Sequence, residues 1–249
     1  MNMKRAVFGD RFKHYAHVVD GVTLSELLAA LQEETIQEEA YEVCQGINPE
    51  ALNRLRQGFS ALGKSDQLTY PAHHEPLDRL WVHKTQQCNV LISPPRALAS
   101  AQFEMNLVVD DANELMLDHL SGFHVQGMVL IEAARQAFLA VTECHLLAKN
   151  IQYYFILERL EVTYEAFVFP MYCGILFQLT GQHQWDHKHG YEADIQFWQN
   201  GSLCTRIQVQ YSVYEATRLL NKEQGLAISA RQRQAHAPAL ATATGVFDR

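Results

Sequence analysis

The chain of 249 residues lacks an excess of positive charge, a long apolar run and any close pair of cysteines. Its net charge is −8 at pH 7, with 20 Lys and Arg against 28 Asp and Glu. A surface that binds nucleic-acid phosphates is expected to show a basic bias, so this balance argues against a nucleic-acid partner. No apolar stretch reaches the roughly 18 residues of a membrane-spanning helix, so no membrane span is expected.

The first ten residues lack the apolar segment of a secretory signal, and a cytoplasmic location is the default expectation. The five cysteines are odd in number and widely spread: Cys44, Cys88, Cys144, Cys173 and Cys204. Without a Cys-x-x-Cys pair, they predict reduced and mostly buried thiols. The histidines at 73–74 and within 181–190 have no further ligand types beside them at metal-site spacing, so no metal or other cofactor is expected.

The hydrophobic fraction of 48% is enough to bury a sizeable core in one or two domains. Within residues 1–78, Thr23 and Glu26 have the spacing of a capping box, and Asn48 with Pro49 has the pattern of a helix start. The polar stretch 63–78 lacks periodicity and is typical of a linker. We therefore predict an N-terminal helical extension and linker at 1–78, a main domain at 79–215, and a partly disordered C-terminal tail at 216–249.

Residues 79–215 favour β-strands on both sides of one long helix. Strand-prone runs lie at 80–83, 88–92 and 103–109 before the helix and at 153–164, 167–179, 191–198 and 203–213 after it. Asn200-Gly201, between the last two runs, is a strong signal for a tight hairpin turn. This order predicts an α+β fold in which an antiparallel sheet wraps around the helix.

The long helix is predicted to run from about residue 128 to residue 147, and it is apolar on nearly every side. Glu132 and Arg135 interrupt this pattern three positions apart, so they share one face. A charge in an apolar setting must be paired or must open on a pocket. The two side chains are therefore the first functional candidates, although a simple intrahelical salt bridge is the alternative. In an apolar setting, Glu132 would have a raised pKa and would suit a general base.

The segment from His124 to Gln136 resembles the core motif of the A-factor biosynthesis hotdog (AfsA-like) family, which has Glu-x-x-Arg-Gln on its central helix. The upstream Val82-His83-Lys84 is similar to that family's first strand region, and the likeness covers about residues 80–215. It implies a hotdog fold, in which two copies pair and an acyl thioester binds between their helices. More distantly, the loop before the helix resembles the His-x-x-Gly loop of β-hydroxyacyl-carrier-protein dehydratases. His119 to Gly127 is one residue short of that spacing.

Eight residues form the expected site. The catalytic candidates are Glu132, Arg135, His119 and His124, and the substrate-binding candidates are Gly127, Met128, Gln136 and His83. The backbone N–H groups of Gly127 and Met128 at the helix start can polarise a thioester carbonyl, because glycine permits close approach and the helix dipole favours negative charge. Arg135 could hold Glu132 ionised or bind a phosphate group.

The resemblance implies transfer of a β-ketoacyl group from an acyl thioester to a hydroxyl acceptor such as dihydroxyacetone phosphate. Its partners would be acyl carrier protein or acyl-CoA, a phosphorylated small molecule and a second copy of the chain. This reading requires a basic, phosphate-sized subsite. A dehydratase or thioesterase would instead need a histidine paired with Glu132. A non-catalytic acyl-binding subunit would have a filled or closed pocket.

Overall fold

The computed structural model describes residues 4–37, 40–71, 75–117, 122–149, 151–185 and 188–234, apart from the side chains of 217–219 and 221. Two helices of the N-terminal part begin where the sequence predicted. Helix α2 (Leu24–Gln32) starts at the capping box of Thr23 and Glu26. Helix α3 (Pro49–Ala61) starts at Asn48, whose side chain accepts a hydrogen bond from Ala51 N. Both caps follow from local side-chain chemistry.

A four-stranded parallel sheet accompanies these helices, and the sequence analysis did not predict it. Its strands are β1 (Arg5–Phe8), β2 (Val22–Thr23), β3 (Tyr41–Val43) and β4 (Leu68–Thr69), in the order β2-β1-β3-β4. Helix α1 (Lys13–Val18) lies between β1 and β2. Strands of two to four residues are too short to produce a readable alternation. The expected N-terminal extension is therefore an α/β unit, and the expected linker contains β4.

The main domain has a six-stranded antiparallel sheet, as predicted. Its strands are β5 (Arg96–Ala99), β6 (Gln102–Asn106), β7 (Tyr153–Tyr164), β8 (Gly174–Trp185), β9 (Lys188–Gln199) and β10 (Ser202–Glu215), in the order β5-β6-β8-β9-β10-β7. Asn200 and Gly201 have φ values of 52° and 77° and connect β9 to β10. Positive φ at both central residues is the requirement of a type I′ turn, so the predicted hairpin is confirmed.

Helix α4 (Gly127–Val141) packs against this sheet and continues as a π-helical turn through Leu146. From Ala133 to Val141, every residue except Arg135 is buried. A helix that is apolar on nearly all sides is expected to be enclosed. The predicted long helix and the α+β hotdog architecture are therefore confirmed.

Two predicted strands before α4 are instead short 3₁₀ turns, at Arg79–Val82 and Gln87–Asn89. Val82 and Leu91 are completely buried, so their apolar character reflects core contacts. Among the described residues, only the end of the second run pairs, because Leu91 O accepts from Val108 N at 2.9 Å and Ile92 forms an isolated antiparallel bridge with Leu107. His83 ends the first turn in the left-handed conformation, with φ 54°. Most of the histidine-bearing stretch 181–190 lies in strands, because β8 continues to Trp185 and β9 begins at Lys188.

The segment after the sheet begins with helix α5 (Ala216–Gln234), which the sequence did not predict within the expected tail at 216–249. Its Ala, Leu, Lys, Glu, Gln and Arg residues are strong helix formers, so a polar composition does not prevent a helix here. Residues 235–249 lie outside the described part of the chain. Within that part, no helix has both the length and the apolar character needed to cross a membrane.

Candidate functional site

The two sequence motifs come together around the Glu132 carboxylate. Arg135 donates to it through two nitrogens, with Nε 2.8 Å from Oε2 and Nη2 2.8 Å from Oε1. Lys84 reaches the same carboxylate, with Nζ 2.8 Å from Oε1. We call Lys84, Glu132 and Arg135 the charge cluster. It carries two positive charges against one negative charge, and its side chains are 25%, 16% and 32% exposed, respectively.

The environment of Glu132 reverses the expected shift in its pKa. Burial by itself raises the pKa, as the sequence analysis assumed. The hydrogen bonds from Arg135, Lys84 and Gln136 act in the opposite direction and lower the pKa to about 2. The expectation of a raised pKa is wrong, because the hydrogen bonds and charge of Arg135, followed by the hydrogen bond from Lys84, outweigh the effect of burial. Glu132 is thus a stable anion and a weak base at neutral pH.

Gln136 fixes the charge cluster to the chain that passes beside α4. Its side chain is fully buried, accepts from Leu91 N at 2.7 Å and donates to Asn89 O at 2.8 Å. Its amide nitrogen also lies 3.1 Å from Oε1 of Glu132. With no exposed surface and these partners in place, Gln136 does not have the geometry expected for substrate contact. It positions Glu132 instead.

His83 lies next to the charge cluster in sequence but binds a different carboxylate. Its Nε2 is 2.7 Å from Oε1 of Glu143, and its ring meets Phe155 edge-on at 5.6 Å. The side chain is 39% exposed. His83 can therefore reach a ligand, but its described ionic partner is Glu143 and not Glu132.

A largely apolar cleft of about 690 Å³ opens beside the start of α4. Its walls come from residues 124–130 and from the segment that follows β7. The lining residues are His124, Val125, Gly127, Leu130, Tyr164, Glu165, Ala166, Phe167, Val168 and Phe169. The His124 ring lies 4.6 Å from the Phe167 ring. An apolar cleft with few polar groups is a common form of ligand site.

Helix α4 begins at this cleft without a side-chain cap. Gln126 is the N-cap residue, and its side chain makes no capping hydrogen bond. Within the described residues, no acceptor faces the backbone N–H groups of Gly127 and Met128, and the buried Nε2 of Gln126 also has no partner. Such donors, together with the positive end of the helix dipole, favour negative charge at this position.

Gly127 allows a close approach at this helix start. A Cβ added at position 127 would lie only 2.5 Å from Oη of Tyr164. Tyr164 is half-exposed, and burial of its hydroxyl raises the pKa of the phenol. The glycine thus lets the Tyr164 hydroxyl reach the uncapped end of α4.

The cleft and the charge cluster lie on different sides of α4. Gly127 and Leu130 line the cleft, whereas Glu132, Arg135 and Gln136 do not. At 3.6 residues per turn, Glu132 lies about 140° around the helix from Gly127. The loop and these helix residues were expected to form one site, whereas within a single chain they lie at two separate places. His119 lies outside the described residues, and Met128 is largely exposed beside the helix start.

Three residues of these two sites were absent from the expected set: Lys84, Gln126 and Tyr164. The sequence could have identified Lys84, because it lies in the Val82-His83-Lys84 motif. Gln126 had a weaker signal, because it immediately precedes the helix start without the usual capping side chain. Tyr164 had none, since only the fold brings the end of β7 to α4. Within the described ranges, no group of three or more His, Cys, Asp or Glu side chains could hold a metal ion.

Several solved structures share low similarity with the chain. A mutant thioesterase from Pseudomonas aeruginosa is 14% identical, with 49% of this chain and 81% of that chain covered and a TM-score of 0.36. A thioesterase from Haemophilus influenzae is 15% identical, with 49% and 77% covered and a TM-score of 0.35. The PaaI protein from the phenylacetic acid degradation operon of E. coli is 14% identical, with 47% and 79% covered and a TM-score of 0.33. Likeness at this level carries no argument about function.

A comparison with curated proteins finds no match. The family model described as the A-factor biosynthesis hotdog domain matches residues 65–215, which is more than half of the chain. The matched range contains the whole six-stranded sheet, α4, the cleft and the charge cluster. The chain therefore belongs to the A-factor biosynthesis hotdog domain family.

Proposed function

We propose that the protein is an acyltransferase that moves a β-ketoacyl group from an acyl-carrier-protein or CoA thioester to a hydroxyl acceptor such as dihydroxyacetone phosphate. In this reaction, the acceptor oxygen attacks the thioester carbonyl carbon. A C–O bond forms, the C–S bond breaks, and the hydroxyl proton leaves with the thiol. Family membership and two complementary sites on α4 support the proposal.

The observation that carries the proposal is the apolar cleft that ends at the uncapped start of α4. An acyl chain fits walls such as Leu130, Phe167 and Phe169. The free N–H groups of Gly127 and Met128 then face the thioester carbonyl, whose oxygen becomes negative during the attack. Donors that are already oriented toward that oxygen stabilise the transition state, and loss of one typically costs about 100- to 1,000-fold in rate. His124 at the cleft is the candidate for carrying the hydroxyl proton.

The charge cluster supports an acceptor that carries a phosphate. Glu132 holds Arg135 through Nε and Nη2 and leaves Nη1 without an acceptor among the described residues. Lys84 has one described ionic partner, Glu132, and retains further N–H donors. A guanidinium beside an ammonium suits the geometry and charge of a phosphate. In this proposal, Glu132 orients the two cations and does not act as the base.

We propose further that two copies of the chain complete the site. Strand β7 is 12 residues long and lies at the edge of the sheet, paired only with β10 within the described part of the chain. A long edge strand offers a row of backbone donors and acceptors to a second copy. Pairing through such an edge would join two sheets, and the charge cluster of one copy would then serve the cleft of its partner. This arrangement accounts for two half-sites on opposite sides of α4.

The other candidate functions fit the described geometry less well. A dehydratase needs a histidine paired with Glu132, whereas Glu132 contacts Lys84, Arg135 and Gln136 in the described residues. A non-catalytic subunit with a closed pocket conflicts with an open cleft of about 690 Å³. A thioesterase would use the cleft and the helix start but would have no need for a phosphate subsite.

The test is mass spectrometry of purified protein incubated with a β-ketoacyl-CoA and either dihydroxyacetone phosphate or dihydroxyacetone. We expect an acyl ester with both acceptors and a strong preference for the phosphorylated one. Arg135→Gln should remove most of that preference, because it deletes the guanidinium that faces the phosphate. Arg54→Gln, at an exposed position on α3, is the matched control. Free acid in place of ester would support a thioesterase, and an unchanged preference in Arg135→Gln would contradict the phosphate subsite.

A further inference from the structure

The N-terminal α/β unit packs against the hotdog domain at the position where parallel sheets usually bind ligands. Its strand order reverses between β1 and β3, and open α/β sheets bind ligands at the carboxyl ends of such strands. Here that position is filled by the Asp111 carboxylate. A Cβ added at Gly9 or Gly46 would lie 2.4 or 2.6 Å from Asp111 Oδ1, so only glycine fits at both strand ends. The crevice therefore serves as a joint between the two units.

Arg11 lies just beyond this joint and hydrogen-bonds to the backbone of residues 111–116. Its Nε donates to Asp111 O at 2.6 Å, and its Nη1 donates to Met116 O at 3.1 Å. Its backbone N–H also lies 3.3 Å from Asp111 Oδ2. One half-buried arginine thus satisfies two carbonyls of the hotdog domain, five residues apart.

Helix α1 holds the segment that follows residues 118–121. The Tyr15 backbone N–H donates to Gly122 O at 3.2 Å. A Cβ at Gly122 would lie 2.9 Å from Arg11 O, which fits the close approach of α1 to this backbone. The exposed His14 ring stacks on Phe123, with centroids 5.8 Å apart. The chain from Gly122 then leads directly to Gln126 and the uncapped start of α4.

Tyr15 also supports the opposite wall of the cleft. Its ring stacks on Phe169, which lines the cleft, with centroids 5.1 Å apart. Its hydroxyl lies 3.4 Å from Sδ of Met171. Both walls of the cleft therefore rest on the short stretch from Arg11 to Tyr15.

We propose that Arg11 and Tyr15 are positioning residues, through which the N-terminal unit sets the geometry of the cleft without touching the substrate. Arg11 fixes the backbone at Asp111 and Met116, and Tyr15 fixes Gly122 and the Phe169 wall. The position of the Gly127 and Met128 N–H groups then depends on contacts made outside the hotdog domain. The activity part of this inference rests on the proposed function, and the structural part does not.

The experiment combines hydrogen–deuterium exchange of the full chain with kinetics on a β-ketoacyl-CoA and dihydroxyacetone phosphate. In Arg11→Gln, amide exchange at residues 112–117 and 122–126 should rise about tenfold, while the β9–β10 hairpin stays unchanged. The value of kcat/KM should fall at least about tenfold, because small misplacements of reacting groups have large effects on rate. Arg11→Lys should recover part of both losses, since lysine can donate to one of the two carbonyls. Arg54→Gln is the matched control and should change neither.

A second pair of variants tests the Tyr15 contact. Tyr15→Phe keeps the stack on Phe169 and should remain close to the parent protein, whereas Tyr15→Leu should loosen residues 164–171 and raise KM. If Tyr15→Leu does not fold, His14→Ala removes an exposed stack on Phe123 and should give a smaller change in exchange at residues 122–126. Unchanged exchange at 112–126 in Arg11→Gln, or an equal change in Arg54→Gln, would overturn the inference. Altered exchange in a protein without transferase activity would leave the inference standing and reject the proposed function.

Discussion

The two sides of α4 differ in how their polar groups are satisfied. On the cleft side, the helix begins without a cap, and described residues leave the N–H groups of Gly127 and Met128 without acceptors. On the other side, the Glu132 carboxylate receives hydrogen bonds from Lys84, Arg135 and Gln136. The cleft side therefore has backbone donors without acceptors among the described residues, whereas on the other side the negative charge of Glu132 is compensated.

This difference shows that burial alone does not determine the chemistry of a carboxylate. Glu132 and Asp111 are both partly buried, yet the pKa of Glu132 falls to about 2 and the pKa of Asp111 rises to about 6. Desolvation raises both values, but only Glu132 has side-chain hydrogen bonds from two cations. The guanidinium of Arg11 is instead bound to backbone carbonyls. The partners decide the sign of the shift.

The largest expected effect on activity comes from Gly127→Ala, which changes the cleft side of α4 at the helix start. The added methyl group would occupy the space between the Gly127 N–H and the Tyr164 hydroxyl, so a thioester carbonyl could no longer approach the donors at the helix start. The value of kcat/KM for acyl transfer should fall about 100-fold, as expected when an oxyanion donor is lost. The melting temperature should change little, because Tyr164 is half-exposed and can move. Gly225→Ala, where an added Cβ meets nothing within 4 Å, is the matched control. Full activity of Gly127→Ala would remove the helix start from the site.

A second experiment tests whether the charge cluster of one subunit serves the cleft of its partner. Gly127→Ala and Arg135→Gln should each transfer little acyl group to dihydroxyacetone phosphate as pure proteins. After co-refolding in equal amounts, about one quarter of the parent activity should return, since half of the pairs are mixed and each mixed pair has one intact site. Activity is measured by ester formation in the mixture. No recovery, in a mixture verified to contain mixed pairs, would argue that both sides act within one chain.

Glu132→Gln tests how much the ionised carboxylate on the charge-cluster side contributes to the free energy of unfolding. A lowered pKa in the folded state means that the ionised carboxylate stabilises the fold at neutral pH and that this contribution is lost as the pH falls from about 4.5 toward 2. The variant should therefore lose about 1–3 kcal/mol of unfolding free energy at pH 7, and the difference should shrink at about pH 3. Urea unfolding at both values measures it. Glu161→Gln, on the exposed part of β7, should differ little at either pH.

Asp111→Asn should have a smaller effect of opposite sign. The carboxylate faces Asp10, which raises its pKa, and Arg11, which lowers it, while burial is the largest cause of the rise to about 6. A raised folded-state pKa means that stability is greatest below the unfolded value near 3.8 and declines as the pH rises toward 6. The variant cannot ionise, so it should be more stable than the parent by about 1 kcal/mol above pH 6 and equal to it near pH 3. A less stable variant at pH 7.5 would mean that the charged form is needed at the joint.

The sequence by itself determined the features that depend on neighbours along the chain. The capping box at Thr23, the turn at Asn200-Gly201 and the apolar helix from residue 128 are all patterns within a few residues, and each was predicted correctly. The order of strands around one long helix then indicated the hotdog fold. The spacing of Glu132 and Arg135 was also enough to predict their shared face.

Only the tertiary structure decided which groups meet across long distances in sequence. The short strands of the N-terminal sheet are stabilised by pairing with one another and leave no periodic signal. Lys84 reaches Glu132 because two 3₁₀ turns, and not strands, carry the chain past α4. That contact adds a second cation beside Arg135, which is the largest of the causes that lower the pKa of Glu132. The separation of the cleft from the charge cluster also depends on the tertiary structure. The spacing of residues along α4 determines the angle between them around the helix axis, but only the fold decides which segments pack against each face.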